Sequence, residues 1–156
     1  RSCRRLCSCR IRGHRGAYVR AGAAAWSSGI SKDTRQCLEA ALYERLSARN
    51  RCSAAIDLGI HCAQATPELK GVALPVGLPL VSLTWLARMP ELSEAARDGT
   101  RLLGELELQR AVEVLISVTD SDASRAGECA RRIFEDTKAW IRSLDATLEG
   151  PSSSSA

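Results

Sequence analysis

The sequence predicts an all-α fold, a four- to five-helix bundle behind a basic and largely irregular N-terminal arm. Three observations lead to this prediction. Apolar residues recur at three- and four-residue steps through most of residues 33–149. Aromatic residues make up only 4% of the chain, so Ala, Leu, Val and Ile must form the core, which suits close helix packing. Acidic residues are absent before residue 33, which separates the arm from the remainder.

The charge distribution divides the chain into an arm at 1–32, a helical domain at 33–149 and a flexible Ser-rich tail at 150–156. The arm holds eight of the 22 Lys and Arg residues and none of the 18 Asp and Glu residues, so the remainder carries a net charge of −4. An Arg-rich, Ser- and Ala-containing, acid-free segment is typical of a mitochondrial or plastid transit peptide. Its anionic-partner residues are predicted to be Arg4, Arg5, Arg10, Arg12, Arg15 and Arg20.

Two helices are predicted to follow the arm as a hairpin. Asp33 is a suitable N-cap for the first, whose apolar positions run from Cys37 to Leu46, and Asn50 is the expected break. The second helix has its apolar face between Cys52 and Ala63. The sequence Thr66-Pro67-Glu68 is typical of a cap with Pro at the first helical position, and predicts a new turn there.

The most apolar stretch is 72–87, which is 16 residues long and contains Pro75 and Pro79. A buried extended segment leading into a short core helix is the favoured interpretation. A segment lying on a membrane or partner, and a true membrane span, are the alternatives, although a span needs about 20 apolar residues. The predicted membrane or partner contacts are Val72, Leu74, Val76, Leu78, Leu80, Val81, Leu83 and Trp85.

Two longer helices are predicted to complete the bundle. One is expected to run from about Glu91 to Val118, with a strand over Val112–Val118 as the alternative because β-branched residues are frequent there. The sequence from Thr119 to Asp122 resembles a capping box with Asp in place of Glu, and starts the last helix. That helix has the strongest apolar periodicity in the chain: Ala126, Cys129, Ala130, Ile133, Phe134, Trp140, Ile141, Leu144 and Leu148.

No group of residues predicts catalysis, and we expect no cofactor and no metal. His61 lies one helical turn after Asp57, which predicts a structural pair rather than a catalytic one. Four zinc-compatible side chains occur in the arm, but with an unfamiliar spacing: Cys3, Cys7, Cys9 and His14. The cysteines of the helical domain fall on apolar positions, where we expect reduced, buried thiols. Neither the P-loop motif nor the Rossmann glycine motif, both of which bind phosphate groups, is present.

These features favour a non-catalytic accessory or structural subunit of a multiprotein membrane complex, imported into a mitochondrion or plastid. Its partners would be other protein subunits, with a membrane surface as a further possibility. The first alternative is an organellar RNA-associated protein, such as a ribosome component, in which the arm binds phosphates together with Arg49 and Arg51. The second is a small helical enzyme or ligand carrier with a cavity near His61 and Trp85.

Overall fold

The computed structural model describes residues 31–75, 77–112 and 117–148, and the side chains of 32–75, 77–112 and 117–144. Five α-helices account for most of these residues: α1 (Ser31–Leu42), α2 (Ala48–Lys70), α3 (Pro79–Leu86), α4 (Glu94–Ala111) and α5 (Asp120–Leu148). The described residues contain no strand. The predicted all-α class is confirmed. Residues 1–30 of the arm and the tail at 150–156 lie outside the described residues, whereas residues 31 and 32, predicted as part of the arm, begin α1.

The centre of the fold is α2, which packs against each of the other four helices. It is buried on nearly all sides, because its sequence combines Ile and Leu with small Ala, Cys and Gly residues that let neighbouring helices approach closely. At Gly59 a Cβ atom would lie 2.9 Å from Cδ1 of Leu103 in α4 and 3.3 Å from Cδ2 of Leu83 in α3. Glycine at this position therefore sets the distance between α2 and both helices.

The α1–α2 hairpin forms as predicted, but its break is earlier than Asn50. Helix α1 begins at Ser31, so Asp33 lies in the first turn rather than at the N-cap. Helix α2 begins at Ala48, and the Ser47 hydroxyl accepts a hydrogen bond from the Asn50 backbone N–H at 3.3 Å. The prediction overlooked Ser47, which satisfies a helix-terminal donor three residues before the expected break.

The prediction of a new helix start at Pro67 is wrong, since Pro67 lies inside the last turn of α2. The packing of Thr66, Pro67 and Leu69 in the interior offsets the backbone hydrogen bond that proline removes. The helix ends at Gly71, whose φ of 66° is left-handed and whose backbone N–H donates to the Glu68 carbonyl. Glycine adopts this conformation without steric cost.

The stretch 72–87 contains the predicted short helix, α3, preceded by an extended segment. Pro79 occupies the first turn of α3, where its missing N–H has no helical partner to lose. The residues that α3 buries are Ser82, Leu83 and Leu86. The extended residues 72–75, 77 and 78 are exposed or half-exposed, so the expectation that this part is buried is wrong. Among the described residues, no helix combines the length and the apolar character needed to cross a membrane.

The two longer helices are present as α4 and α5, but α4 is shorter than the helix expected from about Glu91 to Val118. Helix α4 begins after Ser93, whose hydroxyl accepts from the Ala96 N–H at 3.2 Å, and ends at Ala111. Of the stretch Val112–Val118, where a strand was the alternative, 113–116 lie outside the described residues, and 112, 117 and 118 are not in a strand. The capping box of α5 is confirmed: the Asp122 N–H donates to the Thr119 hydroxyl at 3.2 Å, and the Thr119 N–H donates to the Asp122 carboxylate at 2.9 Å.

The predicted face of α5 enters the core against α1, α2 and α4. Its fully or nearly buried members are Ala126, Ala130, Ile133, Phe134, Trp140 and Ile141. Cys129 and Leu144 are partly buried, and the side chain of Leu148 is not among the described side chains. The periodic sequence signal therefore identified the packed face of this helix correctly.

Candidate docking surface

The described apolar side chains of the extended segment and the outward face of α3 form one exposed region. We call this region the docking surface and define it by Val72, Leu74, Leu78, Leu80, Val81 and Trp85. Leu78 is 51% exposed, and Val72, Leu80 and Val81 are each 38% to 39% exposed. Leu74 and Trp85 are half-buried. Such a group of large exposed apolar side chains is a candidate contact site.

The position of the docking surface follows from helix geometry. On α3 the residues that face the core are 82, 83 and 86. Residues 80, 81, 84 and 85 lie on the other side of the helix, where 80 and 84, and 81 and 85, are each one turn apart. The extended segment begins at Gly71, directly after Lys70, which is ion-paired with Glu91 and lies 5.8 Å from the centre of the Trp140 ring. The start of the segment is therefore fixed to the bundle.

A groove of about 340 Å³ runs through the docking surface, between Leu74 of the extended segment and the outward face of α3. Its remaining walls are Leu80, Val81, Thr84, Trp85 and Arg88. The Thr84 hydroxyl donates to the Leu80 carbonyl at 2.7 Å, so this donor is already used within the helix. Most of the groove is consequently apolar, and Arg88 supplies its charge.

Of the predicted contact residues, six lie on the docking surface. Leu83 is the exception, because it is 2% exposed and packs beside Gly59 of α2 in the core. It does not face a partner in this fold. Val76 lies outside the described residues. Two groove residues, Thr84 and Arg88, were missed. The position of Thr84 one helical turn after Leu80 was the available signal.

A second groove, of about 470 Å³, lies between α1 and the first turns of α2 and contains the Cys37 thiol. Both Asp33 and Asp57 line it. Burial raises the pKa of the Cys37 thiol, and the Asp57 and Asp33 carboxylates raise it further. A thiol that resists ionisation is a poor nucleophile at neutral pH, so this groove lacks the electropositive environment that activates cysteine.

The predicted pairing of His61 with Asp57 is not present. The Arg110 guanidinium donates to the Asp57 carboxylate at 2.6 Å and also to Glu107 at 2.7 Å. Arginine from α4 thus takes the position expected for the imidazole, and no described residue forms a hydrogen bond or ion pair with the His61 side chain. His61 lines neither of these two grooves, and the cavity near His61 and Trp85 stays a prediction.

The four cysteines within the described range are free thiols: Cys37, Cys52, Cys62 and Cys129. Cys62 is fully buried, and this burial raises the pKa of its thiol to about 12. In the described part of the chain, no three His, Cys, Asp or Glu side chains lie close enough together to hold a metal ion. The arm residues Cys3, Cys7, Cys9 and His14 lie outside that part.

Arg51, which was expected to extend an RNA-binding face, is buried. It is 5% exposed, donates to the Ser124 hydroxyl at 3.0 Å and to the Ala41 carbonyl at 3.4 Å, and lies 3.6 Å from the Asp120 carboxylate. The guanidinium therefore joins α1 to α5, and no phosphate can reach it in this fold. Arg49 is exposed. The six predicted anionic-partner arginines of the arm, 4 to 20, lie outside the described residues.

No family model matches this chain, and no curated protein and no solved structure matches it either.

Proposed function

We propose that this protein is a non-catalytic subunit that docks on a partner protein through the docking surface. The observation that carries the proposal is the exposure of Leu80 and Val81 in one groove, with exposed Leu78 close to them in the chain, on the most apolar segment of the sequence. Burying apolar area contributes about 25 cal/mol per Å², so covering this surface with a partner is favourable. The helices of the bundle provide a fixed support for it.

The local structure of the docking surface supports a binding role. Gly71 and Gly77 both have positive φ values, 66° and 81°, and a Cβ at either position would meet no atom within 4 Å. Conformation rather than packing therefore requires glycine there. The two glycines bend the chain so that the extended segment lies beside α3 and completes the groove wall with Leu74.

An organellar location and membership of a membrane complex are further parts of this proposal, and they rest on the arm sequence. Residues 1–32 fused to a fluorescent protein should direct it to mitochondria or plastids, because an acid-free, Arg-rich segment suits import. The control fusion replaces Arg4, Arg5, Arg10, Arg12, Arg15 and Arg20 with Gln. A cytosolic signal from the unaltered fusion would contradict the organellar proposal.

The docking proposal is tested by Val81→Asp, with Leu108→Asp as its matched control. Both substitutions place a carboxylate at an exposed apolar helical position, since Val81 is 39% and Leu108 is 55% exposed. Each tagged variant is expressed in the source organism and its native size is measured by gradient sedimentation, with and without RNase. Circular dichroism of the purified variants establishes that both are folded.

The expected result is that the wild type and Leu108→Asp sediment with a large complex, resistant to RNase, whereas Val81→Asp sediments as a free protein. Equal retention of both variants would contradict docking through this surface. A wild type that sediments as a monomer would overturn the subunit proposal. A complex that dissociates on RNase treatment would favour the RNA-associated alternative instead.

A further inference from the structure

The groove in the docking surface is chemically asymmetric. Leu74, Leu80 and Val81 form apolar walls, whereas Arg88, in the turn that follows the end of α3 at Leu86, supplies a positive charge. The Arg88 guanidinium forms no hydrogen bond or ion pair with any described residue. Other arginines, such as Arg49, are unpaired as well, but Arg88 is the arginine that lines the groove. The groove thus presents an apolar length together with one unused positive charge.

We propose that the segment of the partner protein that occupies this groove is apolar and carries a carboxylate that pairs with Arg88. The inference rests on the proposed docking function and names the chemistry of the partner. Guanidinium groups donate hydrogen bonds in a planar fork that fits a carboxylate, and they accept none. A partner with Lys or Arg at this position would bring two like charges together as the interface is desolvated, which is unfavourable.

Trp85, which also lines the groove, carries a second donor that lacks an acceptor. The indole N–H of Trp85 is a donor only, and it has no acceptor among the described residues. The hydroxyl of Thr84 already donates to the Leu80 carbonyl. Two side chains that line the groove thus carry donors with no acceptor among the described residues, and a partner with acceptors complements them. An acidic side chain beside large apolar ones satisfies both the walls and the donors.

The terminal segments of this chain do not have that chemistry. The arm at 1–32 contains eight basic residues and no acid, so it has no carboxylate to pair with Arg88. The tail at 150–156 contains Gly, Pro, Ser and Ala and has no large apolar side chain. The groove is also open, since Leu80 and Val81 remain 38% and 39% exposed. A small-molecule site encloses most of its ligand, whereas an open groove suits a protein segment.

The test is a selection of 12-residue peptides from a displayed library on the full chain, with parallel selections on Arg88→Glu and Arg49→Glu. Arg49 is an exposed arginine on α2, outside the docking surface, and serves as the matched control. We expect the wild type and Arg49→Glu to enrich peptides with Asp or Glu beside Leu, Ile or Phe. Arg88→Glu is expected to enrich Lys or Arg at the same position.

The strength of the pairing is measured by fluorescence anisotropy with one enriched peptide and its Glu→Gln counterpart. For a partly exposed ion pair we expect the Gln peptide to bind the wild type about fivefold more weakly. On Arg88→Glu the order should reverse. A reversed order of the two peptides on Arg88→Glu also separates charge recognition from loss of folding, because only a folded protein can bind the Gln peptide more tightly.

Apolar peptides enriched without an acid, and bound equally by the wild type and Arg88→Glu, would overturn the inference and leave docking intact. Equal enrichment on the wild type and on Val81→Asp would overturn docking as well. Dimerisation of the wild type that Val81→Asp abolishes would identify a second copy as the occupant. Binding to phosphatidylglycerol vesicles that Val81→Asp abolishes, without peptide enrichment, would identify a lipid surface. Each of the last two results also overturns the inference.

Discussion

Two helix-interior glycines have opposite surroundings and provide a matched test of how the helices pack. At Gly104 in α4, an added Cβ would meet no atom within 4 Å. At Gly127 in α5, it would lie 3.0 Å from the Ala41 carbonyl oxygen and 3.2 Å from Cδ2 of Leu42 in α1. The Gly104→Ala and Gly127→Ala substitutions therefore add the same methyl group to open space and to a closed helix contact.

The expected magnitudes follow from two opposing effects. Alanine favours a helix interior over glycine by about 0.5–1 kcal/mol, and this gain applies at both positions. At Gly104 nothing opposes it, so the free energy of unfolding should rise by about that amount. At Gly127 the nearest atom belongs to the backbone and cannot rotate away, and overpacking of this kind costs about 1–3 kcal/mol. Gly127→Ala should therefore lower the free energy of unfolding by about 1 kcal/mol.

The assay is urea unfolding followed by circular dichroism at constant pH, with the midpoint and slope compared among the wild type and the two variants. Unchanged slopes would show that the differences reflect stability rather than a change in the unfolded state. If Gly127→Ala stabilises the protein as much as Gly104→Ala, α1 and α5 are not in contact at Ala41. If Gly104→Ala destabilises it, the exposed side of α4 is covered in solution.

Three further predictions concern single interactions. The folded state holds the pKa of Cys62 at about 12, against 9.0 for an ordinary thiol, so the stabilising contribution of this thiol is complete below pH 9 and is lost as pH rises from 9 to 12. The free energy of unfolding should be about 1.4 kcal/mol lower at pH 10 than at pH 8 because of this residue. Cys62→Ala should reduce this dependence of stability on pH, and an unchanged dependence would contradict the prediction. Thr119→Ala should cost about 1 kcal/mol in urea unfolding because it removes the cap of α5, whereas Ser121→Ala in the exposed first turn should change little; equal effects would argue against the capping box. Arg51→Ala should cost about 2 kcal/mol because buried acceptors lose their donor, whereas Arg49→Ala should stay within about 0.5 kcal/mol, and equal thermal stability of the two would contradict the burial of Arg51.

The candidate site was predictable in outline because its signal is local. An apolar run interrupted by two prolines indicates a short helix with an extended segment before it, and α3 and the described residues 72–75, 77 and 78 have that form. Whether the segment was buried or exposed could not be read from the run itself. That depends on which side of α3 the core occupies, and the core includes Leu83 and Leu86 while Leu80 and Val81 remain outside.

Sequence by itself determined the helical class, the packed face of α5 and its capping box, because each depends on residues within one or two turns of one another. Tertiary structure decided what distant residues do together. It continued α2 through Pro67, because packing of the last turn outweighs a lost backbone bond. It placed Arg110 rather than His61 on Asp57 and buried Arg51 between α1 and α5. It left Arg88 unpaired beside an apolar groove, because pairing requires a carboxylate brought there by the fold, and none is brought by the described residues.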